Sequence, residues 1–366
     1  LPRPDREVQL LAILDEQPFL LVLDGLLLIS IVTLAWAALA SRDARRSIIL
    51  FMAFGLVLAL AWGRLLAPDV ALAEAAIGAG LSGALLLAAV RGQQRERSGS
   101  SRDAGYADVP PALRWAVTVL CAGLAGILGW ALLEAFDSSA RDTLAQAVAA
   151  NLATSGVSNP VTAVLLNFRA YDTLLELAVL LTAVLGIFAL GQARPGYRFA
   201  GPVFDSLVRW LVPVLIVTAG YLLWVGAHAP GGAFQAGATL AAAAVVLRLA
   251  GRSQIGLPTG NALRLVMVAG VAVFLLVGLA LLVLGRPFLG YPPAWAGVLI
   301  LVIESAAMLS IATALALAFI GGRPQAPGQA TGATESLLAA ATTAARSEHG
   351  SGTTTPGAGK EEQSRC

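Results

Sequence analysis

Runs of about 20 apolar residues, each closed by arginine, proline or glycine, recur along most of the sequence and restrict the chain to structures that can live in hydrocarbon. A bilayer core about 30 Å thick is crossed by about 20 residues of helix. Candidate spans fall at 19–40, 46–66, 70–90, 113–135, 164–190, 205–226, 233–250, 263–284 and 294–320. They are rich in Ala, Leu, Val and Gly, which suits helices, and they lack the ten-residue alternation of a membrane β-barrel. Only 13% of the residues are charged and the mean hydropathy is +0.78, which excludes an ordinary water-soluble domain. The expected fold class is all-α, a polytopic membrane protein with about nine transmembrane helices.

Orientation follows from the arginines, because cytoplasmic connections retain them. One set of alternate loops holds Arg42, Arg45 and Arg46, then Arg91, Arg95, Arg97, Arg102 and Arg114, then Arg194, Arg198 and Arg209, then Arg248, Arg252 and Arg264. The opposite set holds Arg3, Arg6, Arg64, Arg141, Arg169 and Arg286. This bias predicts an N-terminus outside and a tail inside. No cleavable targeting segment is visible in the charged stretch that follows Leu1.

Two polar segments divide the spans. The stretch 92–112 reads as a cytoplasmic linker between a three-helix unit, 1–91, and a two-helix unit, 113–192. A second linker, 193–204, precedes a four-helix unit, 205–322. Residues 323–366 are rich in Gly, Thr, Ala, Ser and Pro, which predicts a disordered cytoplasmic tail with a short helix near Glu335 to Arg346.

Several function classes fall away on composition. The 24 basic and 22 acidic residues nearly balance and Lys360 is the only lysine, so the chain has no footprint for nucleic acid. Cys121 and Cys366 are too few for a disulfide framework or a thiolate metal site. No Ser-His-Asp set, metal cluster or nucleotide loop is present.

Acidic side chains inside the spans carry the functional argument, since a charge at a helix centre costs about 2.5 to 3.5 kcal/mol on insertion scales. Glu304 lies about ten residues into the last span, near mid-depth. Glu74, Glu176 and Asp24 lie a turn or two inside the outer edges of theirs, and Asp172 shares a helical face with Glu176 beside Arg169. Asp24, Asp69 and Glu134 read as interfacial or paired acids. Glu74, Glu176 and Glu304 read as path-lining, because no Lys, Arg or His of the chain falls at similar depth to pair them. Protonation, a bound cation or a basic partner on another subunit are the available resolutions. The scarcity of buried Lys and His makes a thin proton relay, so the chain reads as one part of a larger machine. Ala75, Ala79 and Gly83 repeat at four-residue spacing, which allows close helix packing.

The connection Gly226 to Gly237, GAHAPGGAFQAG, has Pro230, Gly231 and Gly232 for a tight turn before a helix start, with Gly237 a little beyond. Without a Walker lysine it is no phosphate site. His228 reads as a loop histidine of structural or incidental role.

The same residues carry a resemblance. APDVALAEAAIGAGLSGALLLAA, Ala67 to Ala89, resembles the D-type membrane subunit of energy-converting hydrogenases, also found in the C-terminal part of the A subunit of Mrp-type cation/proton antiporters. NPVTAVLLNFRAYDTLLELAVLLTAVLGI, Asn159 to Ile187, resembles the E-type subunit, and PGGAFQAG is similar to the Mrp B subunit. The resemblance implies a fused accessory subunit in which Glu74, Asp172 and Glu176 occupy the acids of the D-type and E-type motifs, with Glu304 near an acid of the B-type last helix. Where B-type subunits read Gly-His-x-x-Pro-Gly-Gly-Gly-Phe, this chain has Ala227 in the histidine's place and Ala233 in that of the third glycine.

The expected function is therefore ion transport: a noncatalytic subunit lining part of a sodium or proton route through Glu74, Asp172, Glu176 and Glu304. The implied partners are larger antiporter-like membrane subunits in the plasma membrane of a prokaryote. No cofactor and no metal site are implied, only Na+ or H+ as transported species. The alternatives are the membrane arm of a redox-driven complex and a scaffold that only docks other subunits.

Overall fold

Hydrocarbon leaves backbone N–H and C=O groups no partner but one another, and every regular element among the described residues is helical. The computed structural model describes residues 18–99, 110–137, 141–189, 201–251 and 257–322. The tail from 323, most of the linker at 193–204 and the middle of the linker at 92–112 lie outside the described residues.

Helix α1 spans Pro18–Ala40 and α2 spans Ala44–Arg64, with Asp43 capping α2 by accepting the Arg45 backbone N–H at 3.0 Å. Pro68 opens α3, which runs as Pro68–Ala73, a π-helical stretch Glu74–Leu81, and Ser82–Gly99. The Ser82 hydroxyl donates to the Ile77 carbonyl at 2.8 Å, closing the wide π turn. The backbone of α3 stays helical to Gly99, well into the polar connection that begins at residue 92. Helix α4, Pro111–Asp137, is exposed over its described length except at Gly129.

A short helix α5, Arg141–Asn151, leads to α6, which is Pro160–Ala163 continued by a π-helical stretch Val164–Phe168. The chain breaks at Arg169 before α7, Ala170–Ala189, so the expected span 164–190 is two pieces. The break is stabilised by the Thr173 hydroxyl, which donates to the Leu165 carbonyl at 2.7 Å. Helices α8, Gly201–Val225, α9, Ala233–Leu249, α10, Gly260–Val283, and α11, Ala296–Ile320, complete the chain.

Among the described residues, eight helices are long and apolar enough to cross a membrane. The ninth expected span is α9, whose 17 residues reach only about 25 Å. The chain is thus polytopic and all-α as its composition predicts, with the ninth expected span a shorter apolar helix.

Helix α11 is the most enclosed. Ile300, Ile303, Ala307 and Ile311 join Leu174 and Leu177 of α7 and Phe274 of α10 in the largest apolar cluster. Small residues allow the close approaches that pack helices in lipid. A β-carbon on Gly237 of α9 would stand 2.8 Å from Ile311, and one on Gly270 of α10 would stand 2.9 Å from Ser310. In the first three helices, a β-carbon on Gly55 would stand 3.1 Å from that of Ala79, while Gly83 faces Met52. Ala79 and Gly83 of the stripe therefore pack internally, on α2. Leu81 of α3 meets Val245 of α9 and Phe319 of α11, joining the first helices to the last.

Candidate functional site

Glu304 is the most enclosed carboxylate among the described residues, with 2% of its surface exposed. It is the ninth residue of α11, about 12 Å along that helix. Its carboxyl group lies against the start of α9, where a β-carbon on Gly232, the residue before Ala233, would stand 3.0 Å from Oε1. The short ninth helix and the deep acid thus meet: α9 begins level with Glu304, and its N-terminal N–H groups lie beside a carboxyl group.

Gly232 makes this meeting possible. It holds φ at +114°, a conformation side chains rarely adopt, and a β-carbon there would stand 3.0 Å from Glu304 Oε1. Gly231 is equally constrained, since its β-carbon would stand 2.5 Å from the Leu222 carbonyl oxygen. Gly237 sets α9 against α11. The turn motif and Glu304, read separately in the sequence, form one site.

Asp69, in the first turn of α3, ties this turn from outside. Its Oδ1 accepts the Gly231 backbone N–H at 3.2 Å and the Asn159 Nδ2 at 3.3 Å. Gln235 Nε2 donates to the Asp69 carbonyl at 3.2 Å. Asn159 caps α6 by accepting the Val161 N–H at 2.9 Å, and its Nδ2 also donates to the Ala229 carbonyl at 3.0 Å. The N–H groups of Ser158 and Asn159 both reach the Ala227 carbonyl, and the Thr162 hydroxyl donates to the Gly226 carbonyl at 2.6 Å. Irregular backbone is stable at membrane depth only where protein supplies its partners, and residues 155–162 supply them to the turn. Gly156, at φ +82°, lets that segment lie on α11, where its β-carbon would stand 2.5 Å from the Gly297 nitrogen.

The other acids are placed differently. Glu74 is half-buried at the start of the π stretch and folds back over Gly78, where any side chain would collide with its carboxylate. Asp172 pairs with Arg169 at 2.6 Å, and Glu176 is exposed on the outer face of α7. Asp24 pairs with Arg64 at 3.0 Å, as a residue read as interfacial or paired should. No hydrogen bond or ion pair among the described residues joins one of Glu74, Asp172, Glu176 and Glu304 to another. Three converging His, Cys, Asp or Glu are likewise not found among the described residues. His228 lies exposed beside the turn, its Nδ1 3.1 Å from the Ser158 hydroxyl and its ring edge-on to Trp224.

Three stretches of the chain match known protein families. A family model for MbhD, the D-type subunit of MBH, matches residues 29–95, and one for MbhE, the E-type subunit of MBH, matches 113–202. A third, described as a domain related to the MnhB subunit of Na+/H+ antiporter, matches 203–324. The chain resembles a fused Mrp-type antiporter subunit. A solved structure of the Mrp complex from Dietzia sp. DQ12-45-1b contains a chain of similar fold, with a TM-score of 0.62 and 21% identity. The alignment covers 82% of the present chain and 35% of that chain, so the present chain spans about a third of its length. No curated protein matches.

In this Mrp-like chain the polar knot draws one residue from each matched stretch: Asp69 from the first, Asn159 from the second and Gly231 from the third. Sequence reading missed that junction. The available signals were Asn159 before Pro160, a helix-start pair, and two successive glycines ahead of α9.

Proposed function

We propose that the chain is an accessory subunit of a multisubunit cation/proton antiporter in a prokaryotic plasma membrane, and that Glu304 stands on its ion route. It would be organised as a D-type, an E-type and a B-type module, at 1–91, 113–192 and 205–322, and would work beside larger antiporter-like membrane subunits. The observation that carries this reading is Glu304 itself: a carboxyl group enclosed at the depth of a span, against the start of α9, with no ion pair to a described basic residue. Such a group exchanges a proton or a cation far more readily than it contributes to packing. It performs no covalent chemistry. Glu74 would act on the same route, and Asp172 and Glu176 nearer its rim.

The test is replacement of Glu304 by Gln in the complete complex. Transport should fall while assembly persists, and unaltered transport removes Glu304 from the route.

A second reading has support in two of the three family descriptions, which name MBH subunits. On that reading the chain is the membrane arm of a redox-driven complex. Mild-detergent purification separates the two: partners carrying iron–sulfur clusters favour the redox arm, and antiporter-like chains without them favour the antiporter.

A further inference from the structure

We propose that Asp69 is a positioning residue for Glu304, holding from another module the turn that meets the buried carboxylate. The inference rests on the proposed role of Glu304 and adds a residue that the motif resemblance does not assign.

The route of the effect is continuous. Asp69 is 8% exposed, and its Oδ1 takes the Gly231 N–H. Gly231 is followed by Gly232, at φ +114°, where a β-carbon would stand 3.0 Å from Glu304 Oε1. Gln235, in the first turn of α9, donates to the Asp69 carbonyl, so the turn and the start of α9 are held to the start of α3 at two points. The acceptor at Asp69 is also fixed from a second side by Asn159 Nδ2. A turn with two adjacent glycines has few conformational restraints of its own. Its geometry is set by the Gly232 N–H, which donates to the Leu222 carbonyl at 2.9 Å, together with these external hydrogen bonds. Without Asp69 Oδ1 the Gly231 N–H loses its partner, the turn relaxes, and the start of α9 shifts against the Glu304 carboxyl group.

A clamp that merely holds modules together would change how much complex assembles. A positioning residue changes how the assembled complex meets its ion. Sodium-dependent proton movement is therefore measured in everted vesicles containing the whole complex, over a range of Na+ concentration. Asp69→Ala should raise the apparent KM for Na+ by about fivefold, the worth of one hydrogen bond of about 1 kcal/mol, with maximal rate per assembled complex retained. Asp69→Asn, which keeps an Oδ1 acceptor for both donors, should restore the wild-type KM. Gln235→Met, which removes only the second tether, should raise KM by a smaller factor and covers the case in which Asp69→Ala does not assemble. An unchanged KM in Gln235→Met together with either an unchanged KM or no assembly in Asp69→Ala overturns the proposal. So does an Asp69→Asn variant as impaired as Asp69→Ala, since charge rather than geometry would then matter. Glu304→Gln run in parallel separates the two claims: if it transports normally, the role of Glu304 fails, and if it is impaired while KM in the Asp69 and Gln235 variants is unmoved, only the role of Asp69 fails.

Discussion

Oε1 of Glu304 lies 3.0 Å from the point where a β-carbon on Gly232 would stand, so a glycine of the turn and an acid of the last helix share one small volume. That relationship converts a loop feature and an isolated buried charge into a single site. It also makes the glycine replaceable only at the expense of the acid.

Gly232→Ala should therefore act on transport through Glu304. The methyl group would displace the carboxylate, and the backbone strain at φ +114° adds about 1 to 3 kcal/mol. Transport per assembled complex should fall several-fold. Gly285→Ala is the matched control: it also has positive φ, +75°, but open space around its β-carbon, so it should lower thermal stability and leave the transport rate in place.

The Asp24–Arg64 pair is partly exposed, and pairs of that kind contribute about 0 to 1 kcal/mol. Reversing both residues should leave transport intact. Arg64→Ala alone should lower the melting temperature in detergent slightly, and the Asp24→Arg, Arg64→Asp double variant should recover most of the loss. A transport defect in the double variant would assign this pair a role beyond packing.

Gly55→Val tests the internal role of the small-residue stripe. The added methyl groups would meet Ala79, and overpacking of this kind costs about 1 to 3 kcal/mol. The purified chain should unfold at lower temperature. Gly126→Val on α4, where nothing lies within 4 Å, should leave the unfolding temperature of the same purified chain unchanged.

Much of this architecture was legible in the sequence because lipid imposes a simple rule on helix length and backbone pairing. The full spans fall close to their expected positions, and the enclosure of Glu304 follows from its place in an apolar run. The short α9 was not legible. Its apolar residues continue the pattern of a full span, and only the close approach of Gly232 to Glu304 shows how deep the helix begins. The split at Arg169 escaped for a related reason, since Thr173 stabilises it by a hydrogen bond that no hydropathy pattern carries. The knot of Asp69, Asn159 and Gly231 depends on three distant segments meeting, which one sequence without contacts does not disclose. The pairing of Asp172 with its near neighbour Arg169 makes that acid less dependent on an ion.

Asn159→Ala should loosen the joint without touching Glu304 directly. It removes the α6 cap and the bonds to Asp69 and Ala229, and loss of a cap alone costs about 1 kcal/mol. Proteolysis of purified complex in the segment around residues 155–162 should become faster than in the wild type. Equal cleavage rates would show that the clasp is held by its backbone contacts to Ala227 alone.

The most direct measurement is sodium-dependent proton movement in everted vesicles from cells that carry Glu304→Gln as their sole copy, normalised to the amount of assembled complex. Gln keeps the size and hydrogen-bonding capacity of the side chain and removes its ability to exchange a proton or hold a cation as an anion. The account predicts a fall of about tenfold or more with assembly undiminished. A wild-type rate per complex would contradict it.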